Sequence, residues 1–117
     1  MMSQPVTPDP TLDRIRSICL ALPDAREEPS QGNPTFRAGK KTFALLDTVR
    51  GRRCLAFKAT LEHQAELCSS ARFLVAPHVG ARGWTCMRLD GEVDWEQVRS
   101  LVEGSYKMVL RKHALDS

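Results

Sequence analysis

Several chemistries are missing from this chain. Its four cysteines, Cys19, Cys54, Cys68 and Cys86, are widely spaced, form no C-x-x-C pair and have no histidine at metal-ligand spacing. No metal and no cofactor is therefore implied, and the thiols are expected to be reduced and mostly buried. No apolar run approaches the roughly 18 residues that span a bilayer. The first twelve residues are polar and proline-rich, unlike a leader peptide, so the expected location is the cytoplasm. Histidines number three, and none stands at a suggestive spacing from a nucleophile and an orienting group. Glu27 and Glu28 are adjacent, so in an extended segment they point apart and make no acid/base pair. The expectation is a protein without catalytic residues.

At 117 residues, 42% hydrophobic and 26% charged, the chain suits one domain, placed at residues 11–117 behind a proline-rich tail at 1–10. The net charge of +3 is modest, but its distribution is uneven. Between Arg37 and Lys58 stand seven basic residues and one acid, Asp47, a local balance of +6 that leaves the remainder at −3.

Leu12, Ile15, Ile18, Cys19 and Leu22 recur at helical spacing until Pro23 stops the run. The stretch "PDAREEPSQGNP" is loop chemistry. After it, "TFRAGKKTFALL" predicts a hairpin with Phe36, Phe43 and Leu45 inward and Arg37, Thr42, Ala44 and Leu46 outward. "CLAFK" is a third strand with Leu55 and Phe57 inward and Cys54, Ala56 and Lys58 outward. A short helix begins at Thr60, a plausible N-cap, with Leu61, Ala65 and Leu67 or Cys68 as its apolar side. "RFLVA" and "WTCMRL" supply two more strands, the latter with Thr85, Met87 and Leu89 inward and Trp84, Cys86 and Arg88 outward. Asp94 and Gln97 form a D-x-x-Q capping box before a last helix whose buried stripe is Val98, Leu101, Val102, Ser105 and Val109.

The resulting order, α-β-β-β-α-β-β-α, predicts a two-layer α+β domain: a five-stranded antiparallel sheet with helices on one face. The other face must then meet water, a partner or a ligand. Arg37, Lys58 and Arg88 lie outward there with Trp84, a combination suited to phosphates and to stacking on a base. Lys40 and Lys41 at one turn, and Arg50, Arg52 and Arg53 at the next connection, fall at opposite ends of the sheet, where they could bracket a helix of nucleic acid as two wings. Together Arg37, Lys40, Lys41, Arg52, Arg53, Lys58, Trp84 and Arg88 are the candidate DNA-binding set, with little sequence specificity expected because no helix carries a polar, basic recognition face. The same outward face holds Ala44, Leu46, Cys54, Ala56 and Cys86, which would suit a homodimer or protein interface instead. "GARG" before Trp84 could cradle an anion through backbone amides or be a loop. A third possibility is a small anionic ligand near His78, Arg82 and Tyr106.

Five pieces in fixed order carry a family resemblance: L-P-x-A at Leu22–Ala25, G-x-P-x-F-R at Gly32–Arg37, G-K-x-x-F-A at Gly39–Ala44, P-x-x-G-x-x-G-W at Pro77–Trp84, and Ser105-Tyr106 in the final helix. Over Thr11 to Leu115 the chain resembles the MmcQ/YjbR-like family of small bacterial proteins. That resemblance implies an α+β fold like that of secretion chaperones, in a double-wing arrangement, and a DNA-binding role. Ser30 and Gln31 stand where many members place an aromatic residue before the glycine.

Overall fold

The computed structural model describes residues 9–116, and side chains as far as Leu110. Most of the expected tail lies outside the described residues, but Asp9 and Pro10 belong to the fold. Pro10 opens α1 (Pro10–Leu20), where its missing N–H costs nothing, and Asp9 caps the helix by accepting from Leu12 N at 3.1 Å. Asp9 also receives both terminal nitrogens of Arg53, at 2.9 and 2.5 Å, so the helix start is tied to the sheet.

Six strands follow rather than five: β1 (Ala25–Glu27), β2 (Thr35–Ala38), β3 (Lys41–Val49), β4 (Arg52–Lys58), then α2 (Leu61–Leu67), β5 (Phe73–Val75), a 3-10 turn (Gly80–Arg82), β6 (Trp84–Arg88) and α3 (Trp95–Asp116). All pairings are antiparallel, and the spatial order is β1-β2-β3-β4-β6-β5. The extra strand, β1, is three residues without apolar alternation in a proline-bearing segment. Tertiary structure makes it a strand. Gln31 and Gly32, both at positive φ (52° and 81°), close a two-residue turn that pairs Ser30 with Asn33, and Arg16 of α1 holds Glu27 through Nε at 2.7 Å.

The hairpin phase also departs from strict alternation. Thr35 pairs with Leu45 and Phe36 with Ala44, but Arg37 pairs with Thr42, so Phe43 is the extra residue of a β-bulge. The bulge reverses the facing of the rest of β3. Ala44 and Leu46 enter the helix-side core with Phe43, and Leu45 turns to the open face, opposite to the period-two expectation for all three. Ser105 of α3 bridges β3 and β4 just past the last pair of their ladder, Ala44 with Phe57. Its hydroxyl donates to Phe43 O at 2.6 Å and accepts from Lys58 N at 2.9 Å, satisfying two strand groups instead of a carbonyl of its own helix.

All three helices feed one core, built on Ile15, Cys19, Phe36, Phe43, Leu55, Phe57, Met87, Val98 and Val102. The α3 stripe is buried as its spacing predicts, and Asp94 Oδ1 caps the helix by accepting from Gln97 N at 3.2 Å. Thr60 caps α2 as expected. That helix, however, leaves Leu61 and Ala65 exposed and buries Gln64, whose amide donates to Gly80 O and Trp84 O at 3.0 and 2.9 Å.

Candidate nucleic-acid interface

Among the described residues, no helix packs on the second face of the sheet. A smaller apolar cluster covers it: Val49, Cys54, Ala56, Ala76 and Cys86, with Leu45, Leu74 and Trp84 partly buried against them. Small residues in the middle of β4 and β6 leave a depression. Ser30, Gln31 and Asn33 reach over it from the β1–β2 turn, and Pro77, His78 and Val79 from the β5–β6 connection. The result is a groove of about 580 Å³ floored by Leu45, Ala56 and Cys86, with Trp84 at one end. Burial pushes the Cys86 thiol up to about 12, so the floor is uncharged at neutral pH. Cys54 is also raised by burial, and Cys19, in the opposite core, is pushed up to about 12.

Backbone strain gathers at this rim. Among the described residues four non-glycines have positive φ, and three of them, Gln31 (52°), Arg50 (53°) and His78 (69°), line the groove. Each such residue costs about 1 kcal/mol or more, and strain of this kind concentrates where a site must be held in shape. Trp84 is anchored from behind through its carbonyl by Gln64 and Ala76 N. Gly83 precedes it at φ +96°, with its carbonyl accepting from Ala59 N at 2.9 Å.

The expected cations divide into three groups. Lys58 and Lys41 meet Arg82 in a second pocket of about 440 Å³ that shares Thr42 and Trp84 with the groove. This is a basic corner beside the indole. Arg52 and Arg88 lie at the other end of the open face, near Asp90 in a cleft of about 200 Å³. Arg52 and Lys58 are the two ends of β4, six residue steps and about 20 Å of strand apart. Arg50, from the β3–β4 turn, lines the groove near that end.

Of the remaining expected residues, Arg53 and Arg37 are engaged in the fold. Arg53 faces the helix side, paired with Asp9, and is removed from the candidate set. Alternation along β4 puts it opposite to Arg52. Arg37 folds over its own turn and donates Nη2 to Lys40 O at 2.6 Å, leaving its Nε buried without a partner. Lys40 is exposed on that turn. Arg72, which spacing did not single out, binds the carbonyls of Arg88, Asp90 and Glu92 and fixes the end of β6.

The "GARG" segment makes neither an anion cradle nor a loose loop. Arg82 N and Gly83 N donate to Val79 O and Gly80 O within the 3-10 turn. The proposed trio of His78, Arg82 and Tyr106 is also separated: Tyr106 OH donates to Pro23 O at 2.6 Å on the helix side, whereas His78 walls the groove. Arg82, Gln31 and Asn33 owe their place at the site to turns whose geometry spacing alone does not reveal. The Q-G dipeptide ahead of β2 was the one available signal. Among the described residues no group of three or more His, Cys, Asp or Glu side chains could hold a metal, and no helix is long and apolar enough to cross a membrane.

A three-helix α+β domain with an antiparallel six-stranded sheet and one helix-free face defines the class. The sequence model of the YjbR family matches residues 20–108, and the chain belongs to that family. A Deinococcus radiodurans protein described as carrying a DUF419 domain is similar in structure, with a TM-score of 0.77 and 29% identity over 88% of this chain and 80% of that one. A Pseudomonas syringae protein shares the fold, with a TM-score of 0.68 and 17% identity over 86% of this chain and 97% of that one. Among curated proteins, no sequence matches.

Proposed function

We propose that this protein binds DNA without catalysing a reaction, holding a single strand along the open face of its sheet. One observation carries the reading: a groove with an apolar floor and an indole at one end has cations near both of its ends. Cationic ends suit phosphates, and each phosphate neutralised releases counterions. The apolar floor, with Trp84 at its end, suits bases, for which stacking on an aromatic ring contributes about 1–3 kcal/mol each. A volume of about 580 Å³ is the size of a small-ligand site. It is of a size to admit splayed bases of a single strand. This narrows the two-winged duplex grip that the hairpin turns suggested.

The reading is tested by fluorescence anisotropy of a labelled oligothymidylate, with a duplex of equal length as comparison. The single strand should bind more tightly, and log K should fall with log salt at a slope of about −2 for three phosphate contacts. Lys58→Glu or Arg82→Glu should weaken binding strongly, and Arg99→Glu, on the exposed side of α3, should not. Equal effects of all three would contradict a defined interface.

A second reading, a homodimer through the open face, is favoured by the apolar cluster there. The groove walls oppose it: a two-fold contact needs a self-complementary surface, and two concave faces set together enclose a void. Sedimentation velocity separates the two readings. The DNA reading expects a monomer across a hundredfold range of concentration, and the homodimer reading a concentration-dependent dimer.

A further inference from the structure

We infer that the groove contains a base seat for guanine, formed at Asp47 of β3. This rests on the single-strand reading and deepens it. Asp47 is the one acidic residue among the seventeen that line the groove, on a surface otherwise suited to a polyanion. A carboxylate there repels phosphate, so whatever part of the strand reaches it must be a hydrogen-bond donor, which confines it to a base edge. The side chain is held in place: Oδ1 accepts from Thr48 N at 2.8 Å and lies 3.5 Å from Asn33 Nδ2, while Oδ2 takes no hydrogen bond among the described residues.

A carboxylate offers two acceptor oxygens side by side and no donor. Among the four DNA bases, guanine alone presents two adjacent donors on its Watson–Crick edge, N1–H and the N2 amino group. Adenine, cytosine and thymine each give one. The surroundings agree with a ring in this position. Leu45, Ala56 and Cys86 form the floor, and the hydroxyls and amides of Ser30, Gln31, Thr35 and Thr42 stand around it. Asp47 pairs with Cys54, four residues along β4 from Lys58, so about 13 Å of strand separates the acid from the basic corner. At the other end Asp47 shares a row of the sheet with Cys54 and Arg88, so a base edge on the acid would lie between phosphates held at the basic corner and at Arg88.

The test places a single guest nucleotide, dG, deoxyinosine, dA, dC or dT, at the centre of an oligothymidylate and compares affinities by anisotropy. The dG guest should bind on the order of tenfold tighter than the others. Deoxyinosine, which lacks the N2 amino group, should lose most of that advantage. Asp47→Asn should level the five guests without weakening the dT host. If the host binds and all guests are equal, the guanine seat is overturned and the single-strand reading stands. If no oligonucleotide binds, that reading fails, and guanosine 5′-monophosphate alone, followed by amide shifts at Asp47 and Thr48, decides the seat: shifts that Asp47→Asn abolishes uphold it, and unshifted amides overturn it.

Discussion

Asp9 shows how one side chain joins local and tertiary structure. It caps α1 and grips Arg53, and the Arg53 hydrogen bond is the main reason its carboxyl sits below the ordinary value of 3.8. The folded state therefore favours the ionised form. Its contribution is complete above the ordinary value and disappears as pH falls through the lowered one. Asn keeps the capping oxygen and loses the ion pair, so Asp9→Asn should cost about 0.5–1 kcal/mol at neutral pH and progressively less as pH falls below the ordinary carboxyl value. Ala loses the cap as well and should cost about 1 kcal/mol more across the range. Urea unfolding at several pH values measures both. Gly83 makes a different demand. A Cβ there would stand 2.0 Å from Ala59 O at a φ of +96°, whereas one on Gly51 at +77° would meet nothing within 4 Å. Gly51→Ala should cost about 1–2 kcal/mol for its backbone conformation alone, and Gly83→Ala about 3 kcal/mol or more. Equal costs would mean that the approach of Gly83 to Ala59 is not tight.

At the scale of elements, periodicity succeeded where one face is buried and failed where pairing is irregular. The α3 stripe, the Thr60 and Asp94 caps, and the facing of β6, with Thr85 and Met87 in and Trp84, Cys86 and Arg88 out, were legible because each follows from a regular repeat. The second half of β3 was not. Period two carries no mark of an inserted residue, and the bulge at Phe43 becomes visible only through the register with β2. Two of the eight candidate residues were misplaced for a related reason. Arg37 and Arg53 have the right residue type, but what they bind, Lys40 O and Asp9, depends on turn and helix positions. Ser105 bridges two strand groups beside the bulge. With Ser105→Ala, Phe43 O and Lys58 N are left buried without their shared partner, at an expected cost of about 2–3 kcal/mol. Hydrogen exchange at the Lys58 amide should then rise more than the global loss of stability accounts for. A rise no greater than the global effect would mean that β3 and β4 hold together there without the hydroxyl.

The molecule as a whole is asymmetric in what its two sheet faces ask of solvent. One carries three helices and the main core, and the other a small apolar cluster, a walled groove and cations at its ends. The central claim is that this second face meets a single DNA strand with Trp84 against a base. The most direct measurement uses Trp84 itself, in a Trp95→Phe background, since Trp95 lies under Arg14 at 5.2 Å on the helix side and would dilute the signal. Titrating with oligothymidylate at low salt should quench the Trp84 emission saturably, and raising the salt should restore it. Unchanged emission at low salt, from a protein whose far-ultraviolet circular dichroism remains that of the folded domain, would contradict the account.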